Sequence, residues 1–291
     1  MLVNIACLQI AIKPDFESSI EEALGLARQL GSDTRMLFLP EYCGGLKTVD
    51  GRFAPPVASE GTHPVLQALC DHARQSSLWI VAGSMAVSRE SASDDRFNNR
   101  GFVINDQGEV VSHYDKIHLF DIQLEGRDAY RESAVVAPGD KLSLVETPLG
   151  LMGHTICYDL RFPNLYRALS QAGATCLAVP AAFTRTTGEA HWHALCRARA
   201  IENGCYVIAP CSVGNITGGG EAYGHSLVVD PWGKVIADGG ARPGIITATI
   251  DTDKVSAARS QIPSLEHDRK WTQALEQGDP SAAVSSQLRS A

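Results

Sequence analysis

Cys157 stands where an apolar run, Gly150-Leu151-Met152-Gly153-His154-Thr155-Ile156, turns into the polar, helix-like Tyr158-Asp159-Leu160-Arg161-Phe162-Pro163. A thiol at a strand-to-helix junction can serve as a nucleophile. Its sulfur projects from the sheet edge, and the N–H groups of the next turn face whatever it attacks. The same residue could equally be a small apolar side chain closing a strand. Two further segments bear on the choice. Met36-Leu37-Phe38-Leu39 reads as a short buried strand and ends in Pro40-Glu41. A carboxylate there is an acid–base candidate, because partial burial raises its pKa. Lys116 follows an alternating strand at 109–114 and sits among Ile117, Leu119 and Phe120. It is either a snorkelling surface residue or a fixed ammonium aimed at developing negative charge. Together the three form a complete chemical set. A base takes the thiol proton, the thiolate attacks a carbonyl carbon, and the ammonium holds the oxyanion.

In that chain order the sequence resembles the nitrilase superfamily of carbon–nitrogen hydrolases. The resemblance rests on Leu39-Pro40-Glu41, on Tyr114-Asp115-Lys116-Ile117-His118-Leu119-Phe120 and on Ile156-Cys157-Tyr158-Asp159-Leu160-Arg161-Phe162-Pro163. Downstream it continues through Thr187-Gly188-Glu189-Ala190-His191-Trp192, Arg197-Ala198-Arg199-Ala200-Ile201-Glu202 and Tyr223-Gly224-His225-Ser226-Leu227-Val228-Val229-Asp230-Pro231-Trp232-Gly233, and spans roughly residues 2–270. It implies an amidase in which Glu41 is the base, Lys116 the oxyanion partner and Cys157 the nucleophile that forms a thioester. The backbone N–H of Tyr158 completes the oxyanion site, where one donor is worth about 3 kcal/mol. The resemblance also places a second glutamate at Glu132, which orients Lys116 or holds the substrate –NH2. Glu125, in the same loop, is the competing carboxylate but lacks the Glu-Ser context of Glu132-Ser133. Lys116→Ala is expected to abolish turnover in a protein that stays folded.

Other polar residues read as structural. His191 and His193 sit two apart on a predicted helix, so they point to different faces, and chelation by that pair is not expected. No metal or other cofactor is expected. His154 precedes Cys157 by an odd offset within a strand, which directs it to the opposite face. Arg199 and Glu202 read as a helix ion pair. Thr217-Gly218-Gly219-Gly220 lacks the lysine and strand–helix setting of a phosphate loop and reads as a flexible loop. Trp192 and Trp232 read as packing or dimer-contact residues.

The elements that must position these groups alternate along the chain. Strands are expected at 3–10, 35–40, 78–87, 100–105, 109–114, 142–147, 150–156, 175–180, 205–210, 224–230, 234–237 and 245–250. Helices follow Asp15 or Ser18–Ser19, Pro64, Pro163 and Gly188, with a last short one after Asp251 or Thr252. A long polar loop is expected from Lys116 to Gly139. This order gives a layered α/β fold. The resemblance makes it a four-layer α-β-β-α sandwich of two mixed sheets, with residues 1–277 one domain and 278–291 a mobile tail.

The chain of 291 residues is 44% hydrophobic, enough for a large core, and its net charge of −8 leaves no basic footprint for nucleic acid or an anionic membrane. No apolar run approaches the roughly 20 residues that span a bilayer. The first residues read as a strand rather than a signal peptide, so a cytoplasmic protein is expected. Its eight cysteines include no C-x-x-C pair and read as free thiols.

The substrate is expected to be a small linear amide, with water as co-substrate. The segments around Ala190-His191-Trp192 and 197–202 look most like the branch that hydrolyses deaminated glutathione and related ω-amides. Such acids need a cationic or N–H-rich anchor. Tyr158, Phe183, Thr184 and Arg185 are the candidate substrate-binding residues, with Arg185 the carboxylate partner. The chain departs from the branch at Gly220-Glu221-Ala222, where an arginine and a serine are usual, and at Ala181, where a serine is usual. Nitrile or N-carbamoyl hydrolysis uses the same three residues and is the alternative within the class. A non-catalytic interaction protein is the alternative outside it. The resemblance implies a homodimer or higher homo-oligomer built through outer helices and the C-terminal segment.

Overall fold

The computed structural model describes residues 1–90, 94–123 and 130–270. β1 (Leu2–Gln9) leads into α1 (Phe16–Ala27) and β2 (Met36–Phe38). A small hairpin, β3 (Thr48–Val49) with β4 (Arg52–Phe53), precedes α2 (Pro64–Ser76). β5 (Trp79–Val87), β6 (Phe97–Ile104) and β7 (Val110–Asp115) form an antiparallel meander. β8 (Asp121–Ile122) pairs with β9 (Tyr130–Arg131), and β10 (Val136–Ala137) follows. The second half begins with the hairpin β11 (Ser143–Thr147) and β12 (Gly150–His154). A 3-10 turn at Cys157–Arg161 then runs into α3 (Pro163–Gln171), β13 (Cys176–Ala178), α4 (Arg185–Asn203) and β14 (Tyr206–Ala209). β15 (Val213–Asn215) and β16 (Glu221–Tyr223) make a hairpin. β17 (Leu227–Val229), β18 (Val235–Asp238), β19 (Gly244–Asp251) and α5 (Asp253–Gln261) complete the described chain.

Two sheets form. One runs β10-β6-β5-β2-β1-β19, with β7 on β6, and the other runs β11-β12-β13-β14-β17-β18. Strand alternation assigns their faces. Val3, Ile5 and Cys7 of β1 join Met36 and Phe38 of β2 against Met152, Cys176, Ala178 and Ile208 of the other sheet. The intervening residues Ala6, Leu8 and Leu37 face outward onto Ala23, Leu24, Leu66 and Leu69 of α1 and α2. Leu177, Val207 and Leu227 likewise face Leu165, Leu169, Trp192 and Ala200 of α3 and α4. Strands covered on both sides read as continuous apolar runs, and the result is the expected α-β-β-α sandwich.

Several ends follow directly from local chemistry. Asp15 caps α1 by accepting a hydrogen bond from the Ser18 N–H at 2.9 Å. Pro64 and Pro163 open α2 and α3, where the missing N–H has no intrahelical role. The segment expected as one long loop after Lys116 instead carries β8, β9, a 3-10 turn at Glu132–Ala134 and β10. The glycine run at 218–220 lies in the β15–β16 connection. Pairs of two residues leave no periodicity in the sequence, so such elements are set by tertiary partners. Glu125 and residues 278–291 lie outside the described residues. No helix among the described residues is long and apolar enough to cross a membrane.

His154 ends β12 with its ring wholly buried, 5.8 Å from the Tyr114 ring. Burial disfavours the imidazolium and pushes its pKa down to about 4. The unfolded chain accepts that proton near about 6.5. Stability from this group is therefore constant above that range and falls as pH drops toward 4, because only the unfolded state takes the proton. His154→Leu is expected to reduce the loss of stability between pH 7.5 and 4.5 by on the order of 2 kcal/mol. Urea midpoints at the two pH values measure this, and an identical loss in the variant contradicts it.

Candidate active site

Three strand ends deliver the site. β2 stops at Phe38, Leu39 donates to the Val81 carbonyl, and the chain turns through Pro40 to Glu41. Room for that turn comes from an irregularity in β5 between Ala82 and Met85. A Cβ on Gly83 would sit 2.1 Å from the Leu39 carbonyl oxygen and 2.3 Å from that of Pro40. Ser84, beside it, accepts the Tyr42 N–H through its hydroxyl at 3.0 Å. Tyr42 itself has φ +53, a left-handed conformation that non-glycine residues rarely adopt.

Lys116 follows β7 and is pinned by backbone bonds on both sides: its N–H donates to Asn99 and its carbonyl accepts from Gly139. Cys157 lies three residues beyond β12. Thr155 and Cys157 extend the parallel pairing by donating to the carbonyls of Ala178 and Pro180. Cys157 then takes φ +48, which turns the chain sharply into the 3-10 turn. Strain of this kind persists where surrounding bonds over-determine the backbone, and here Asp159 supplies them. Its wholly buried carboxylate accepts from Ile156 N at 2.9 Å, Tyr114 Oη at 2.8 Å and His118 N at 3.0 Å, with His118 Nδ1 at 2.7 Å. Tyr114 and His118 each lie two residues from Lys116, so one carboxylate ties the lysine segment to the cysteine turn.

The side chains converge in a buried charge cluster. Lys116 Nζ lies 2.8 Å from Glu41 Oε1, and 3.1 and 2.9 Å from the two oxygens of Glu132. Asn99 Nδ2 donates to Oε1 of both glutamates, at 2.9 Å to Glu41 and 3.2 Å to Glu132. Glu132 also accepts from Tyr42 Oη at 3.2 Å and from the Phe120 N–H at 2.6 Å. Glu41 Oε2 accepts the Ala182 N–H at 2.9 Å, across from the other sheet. The Cys157 thiol shares the pocket floor with Glu41 and feels its charge.

These partners set the protonation states. Burial alone would depress the Lys116 pKa, but the charges of Glu132 and Glu41 outweigh it and hold the ammonium well above its ordinary value. The Cys157 thiol is pushed well above its ordinary value by burial and then by the Glu41 charge, with Lys116 opposing. The resting sulfur therefore keeps its proton. Its charged neighbours in the pocket are the Glu41 side chain and the Lys116 ammonium.

The cluster floors a narrow pocket of ≈ 50 Å³. Glu41, Lys116, Glu132 and Cys157 line it, with Tyr158, Phe183 and Thr184 on its walls. Arg185 does not line it. Its guanidinium is held by Glu189 at 3.0 Å and Glu221 at 2.9 Å. Gly219, Gly220 and Glu221 do line it, so the departure from the branch pattern at 220–222 falls on the pocket wall. Arg161 does not line it either, but its guanidinium lies 5.7 Å from the ring centroid of the wall residue Tyr158 and 5.4 Å from that of Phe183. His191 and His193 diverge, His191 toward Arg161 and His193 toward Asp238.

Sequence reasoning missed Tyr42, Asn99 and Asp159. Asn99 carried a usable signal: it interrupts a strand of otherwise apolar inward positions and is wholly buried. Asp159 carried no signal for its tie to the lysine segment, because Tyr114 and His118 lie 45 and 41 residues away.

Two substitutions test how the cluster is held. Gly83→Ala forces a Cβ into backbone that cannot retreat, and is expected to lower stability by about 1–3 kcal/mol and displace Glu41. A calorimetric scan with unchanged melting and wild-type turnover would contradict that. Lys116→Ala is expected not only to end turnover but to destabilise the fold by about 3–5 kcal/mol, since Glu41 and Glu132 lose their counter-ion while buried. This revises the sequence-based expectation of an intact variant, and the same scan decides it.

Comparison with known proteins agrees with the geometry. The family model described as carbon-nitrogen hydrolase matches residues 4–260. A deaminated glutathione amidase from Yersinia enterocolitica is 37% identical over 268 residues, covering 91% of this chain and 93% of that protein. The C. elegans NitFhit structure superposes with a TM-score of 0.83 at 32% identity, covering 92% of this chain but 65% of that longer one. Nit3 of Saccharomyces cerevisiae, described as a member of branch 10 of the nitrilase superfamily, superposes with a TM-score of 0.75 at 28% identity over 90% of this chain and 94% of its own. The chain belongs to the carbon-nitrogen hydrolase family and is an amidase.

Proposed function

We propose that the enzyme hydrolyses the terminal amide of a small linear acid, of the deaminated glutathione and ω-amide type, through a Cys157 thioester. The observation that carries this reading is the meeting of thiol, carboxylate and ammonium on one pocket floor, with Lys116 Nζ 2.8 Å from Glu41. Glu41 takes the thiol proton as sulfur attacks the amide carbon. Negative charge passes to the carbonyl oxygen, between the Lys116 ammonium and the Tyr158 N–H at the start of the turn. An ammonium has three donors, and Lys116 spends two of its contacts on Glu132, at 2.9 and 3.1 Å. The longer contact is the one that yields to the oxyanion. Glu41 then returns the proton to the departing nitrogen, ammonia leaves, and Glu41 activates the water that cleaves the thioester.

Glu132 acts as a positioning residue. Both its oxygens already carry donors, from Lys116, Asn99, Tyr42 and Phe120, which leaves little capacity for a substrate –NH2. The aromatic walls of Tyr158 and Phe183 suit a slim aliphatic chain. For the carboxylate end, Arg161 is the anchor this geometry favours over Arg185. Among the described residues Arg161 has no carboxylate partner, whereas Arg185 is shared between Glu189 and Glu221. Relatives named deaminated glutathione amidase support the substrate class. A homodimer through the outer face of α4 belongs to the same reading. It is supported by Ile201 and Trp232, which are 52% and 58% exposed on neighbouring turns.

Ammonia release over a panel tests the proposal: deaminated glutathione, α-ketoglutaramate, succinamate, aliphatic amides, an N-carbamoyl amino acid and a nitrile. Wild type is expected to release ammonia from the acid-amides, and Cys157→Ala from none. Arg161→Met should raise KM for acid-amides about 10–100-fold, the worth of a charged hydrogen bond, and leave neutral amides unchanged. Release only from the carbamoyl compound or the nitrile would replace the substrate class. No loss in Cys157→Ala would remove the thioester.

A further inference from the structure

We propose that His193, His225 and Asp238 form a binding site for one divalent transition-metal ion of the zinc, cobalt or nickel type, separate from the amide pocket. The three come from different elements: α4, the turn ahead of β17 and the end of β18. Asp238 receives one histidine on each oxygen, His193 Nε2 at 3.1 Å from Oδ2 and His225 Nδ1 at 2.9 Å from Oδ1. All three donor groups lie within 4.8 Å of one another. None of them lines the amide pocket.

The spacing suits an ion. With metal–ligand distances of about 2.0–2.2 Å, adjacent ligand atoms of a tetrahedral site lie about 3.3 Å apart. The two histidine–carboxylate distances fall a few tenths of an ångström short of that, so a small opening admits the metal. The imidazole rings stand at 69° with centroids 5.2 Å apart, which lets both lone pairs converge without ring overlap. Two imidazoles and one carboxylate are the donor set of zinc-type ions, not of calcium or magnesium, which prefer oxygen alone. All three side chains are partly exposed, which leaves a path for the ion and a fourth position for water.

The surroundings hold the ligands in place beforehand. The Gly240 N–H donates to Asp238 Oδ1 at 2.9 Å. Trp192 Nε1 donates to the His225 carbonyl at 2.7 Å, and the Tyr223 ring stacks on His225 at 4.6 Å. Contacts of this kind fix ligand orientation in metal sites. On binding, each neutral imidazole presents a lone pair inward and carries its proton on the outward nitrogen, and any imidazolium releases a proton to solvent. Affinity therefore falls at acidic pH. Occupancy would stiffen the pocket wall, because Tyr223 donates its N–H to the Phe183 carbonyl and shares β16 with Glu221.

The test is titration of the full-length protein with Co²⁺ alone, read by its visible d–d bands, alongside Zn²⁺ calorimetry. Wild type, Cys157→Ala and His191→Ala are expected to bind one equivalent with nitrogen–oxygen spectra. His193→Ala and Asp238→Asn should each lose on the order of tenfold or more in affinity while keeping wild-type circular dichroism and amide hydrolysis. Should His193→Ala misfold, Asp238→Asn carries the comparison by itself. The proposal is overturned by absence of binding, by affinity unchanged in these variants, or by a thiolate-type cobalt spectrum that vanishes in Cys157→Ala.

Discussion

The site hangs on one buried ammonium. Lys116 is 1% exposed, and so charged a group survives there only because two carboxylates, themselves 2% and 1% exposed, close on it. Desolvating three ions is expensive, and mutual attraction offsets it only where geometry is tight and the remaining lone pairs are filled. Here they are filled by Asn99, Tyr42 and the backbone N–H groups of Phe120 and Ala182. Those donors come from β6, from the turn after β2, from the segment after Lys116 and from the segment after β13. The charge cluster thus fixes where four separate pieces of chain must lie. Any of them displaced would leave a buried charge short of a partner.

This requirement explains local features that otherwise look costly. The glycine at 83 exists because Pro40 and Leu39 pass over β5 at contact distance. The left-handed Tyr42 and Cys157 both sit beside charged members of the cluster. Glu41, carried by the first sheet, accepts a backbone N–H of the second, so the two layers are tied at the site as well as through their apolar interface. Asp159 performs a parallel service on the other side, coupling the cysteine turn to both residues that flank the lysine at two removes. A rigid sandwich with bonded strand ends holds reacting groups within the tolerance that positioning requires.

Sequence reading reached some of this and not the rest, for identifiable reasons. Glu41 and Cys157 each end an apolar run and Lys116 follows an alternating strand, so their types and places are visible in one dimension. The two sheets follow once strand order is combined with the family resemblance, although alternation by itself does not count sheets. What stayed hidden is long-range pairing. Arg185 reads as a free cation until the fold brings Glu221, 36 residues away, to its guanidinium. His193 reads as half of a divergent pair until Asp238 arrives from 45 residues away. The β8–β9 and β15–β16 pairs are too short to show a period, and they form because tertiary neighbours demand them.

The electrostatic balance of the resting site also bears on how the chemistry is timed. Burial first, and then the Glu41 charge, disfavour ionising the Cys157 sulfur, with Lys116 opposing. In the proposed mechanism, passing the proton from Cys157 to Glu41 leaves the total charge unchanged but moves it onto sulfur. On the same proposal, attack on an amide moves it again, onto an oxygen beside Lys116. The Lys116 ammonium is held well above its ordinary pKa by Glu132 and Glu41 against its burial, so the role proposed for it is that of a fixed charge and not of an acid. On that proposal the site stays unreactive until an electrophilic carbon can accept the displaced charge, and the same arrangement that protects the thiol at rest lowers the barrier once substrate is bound.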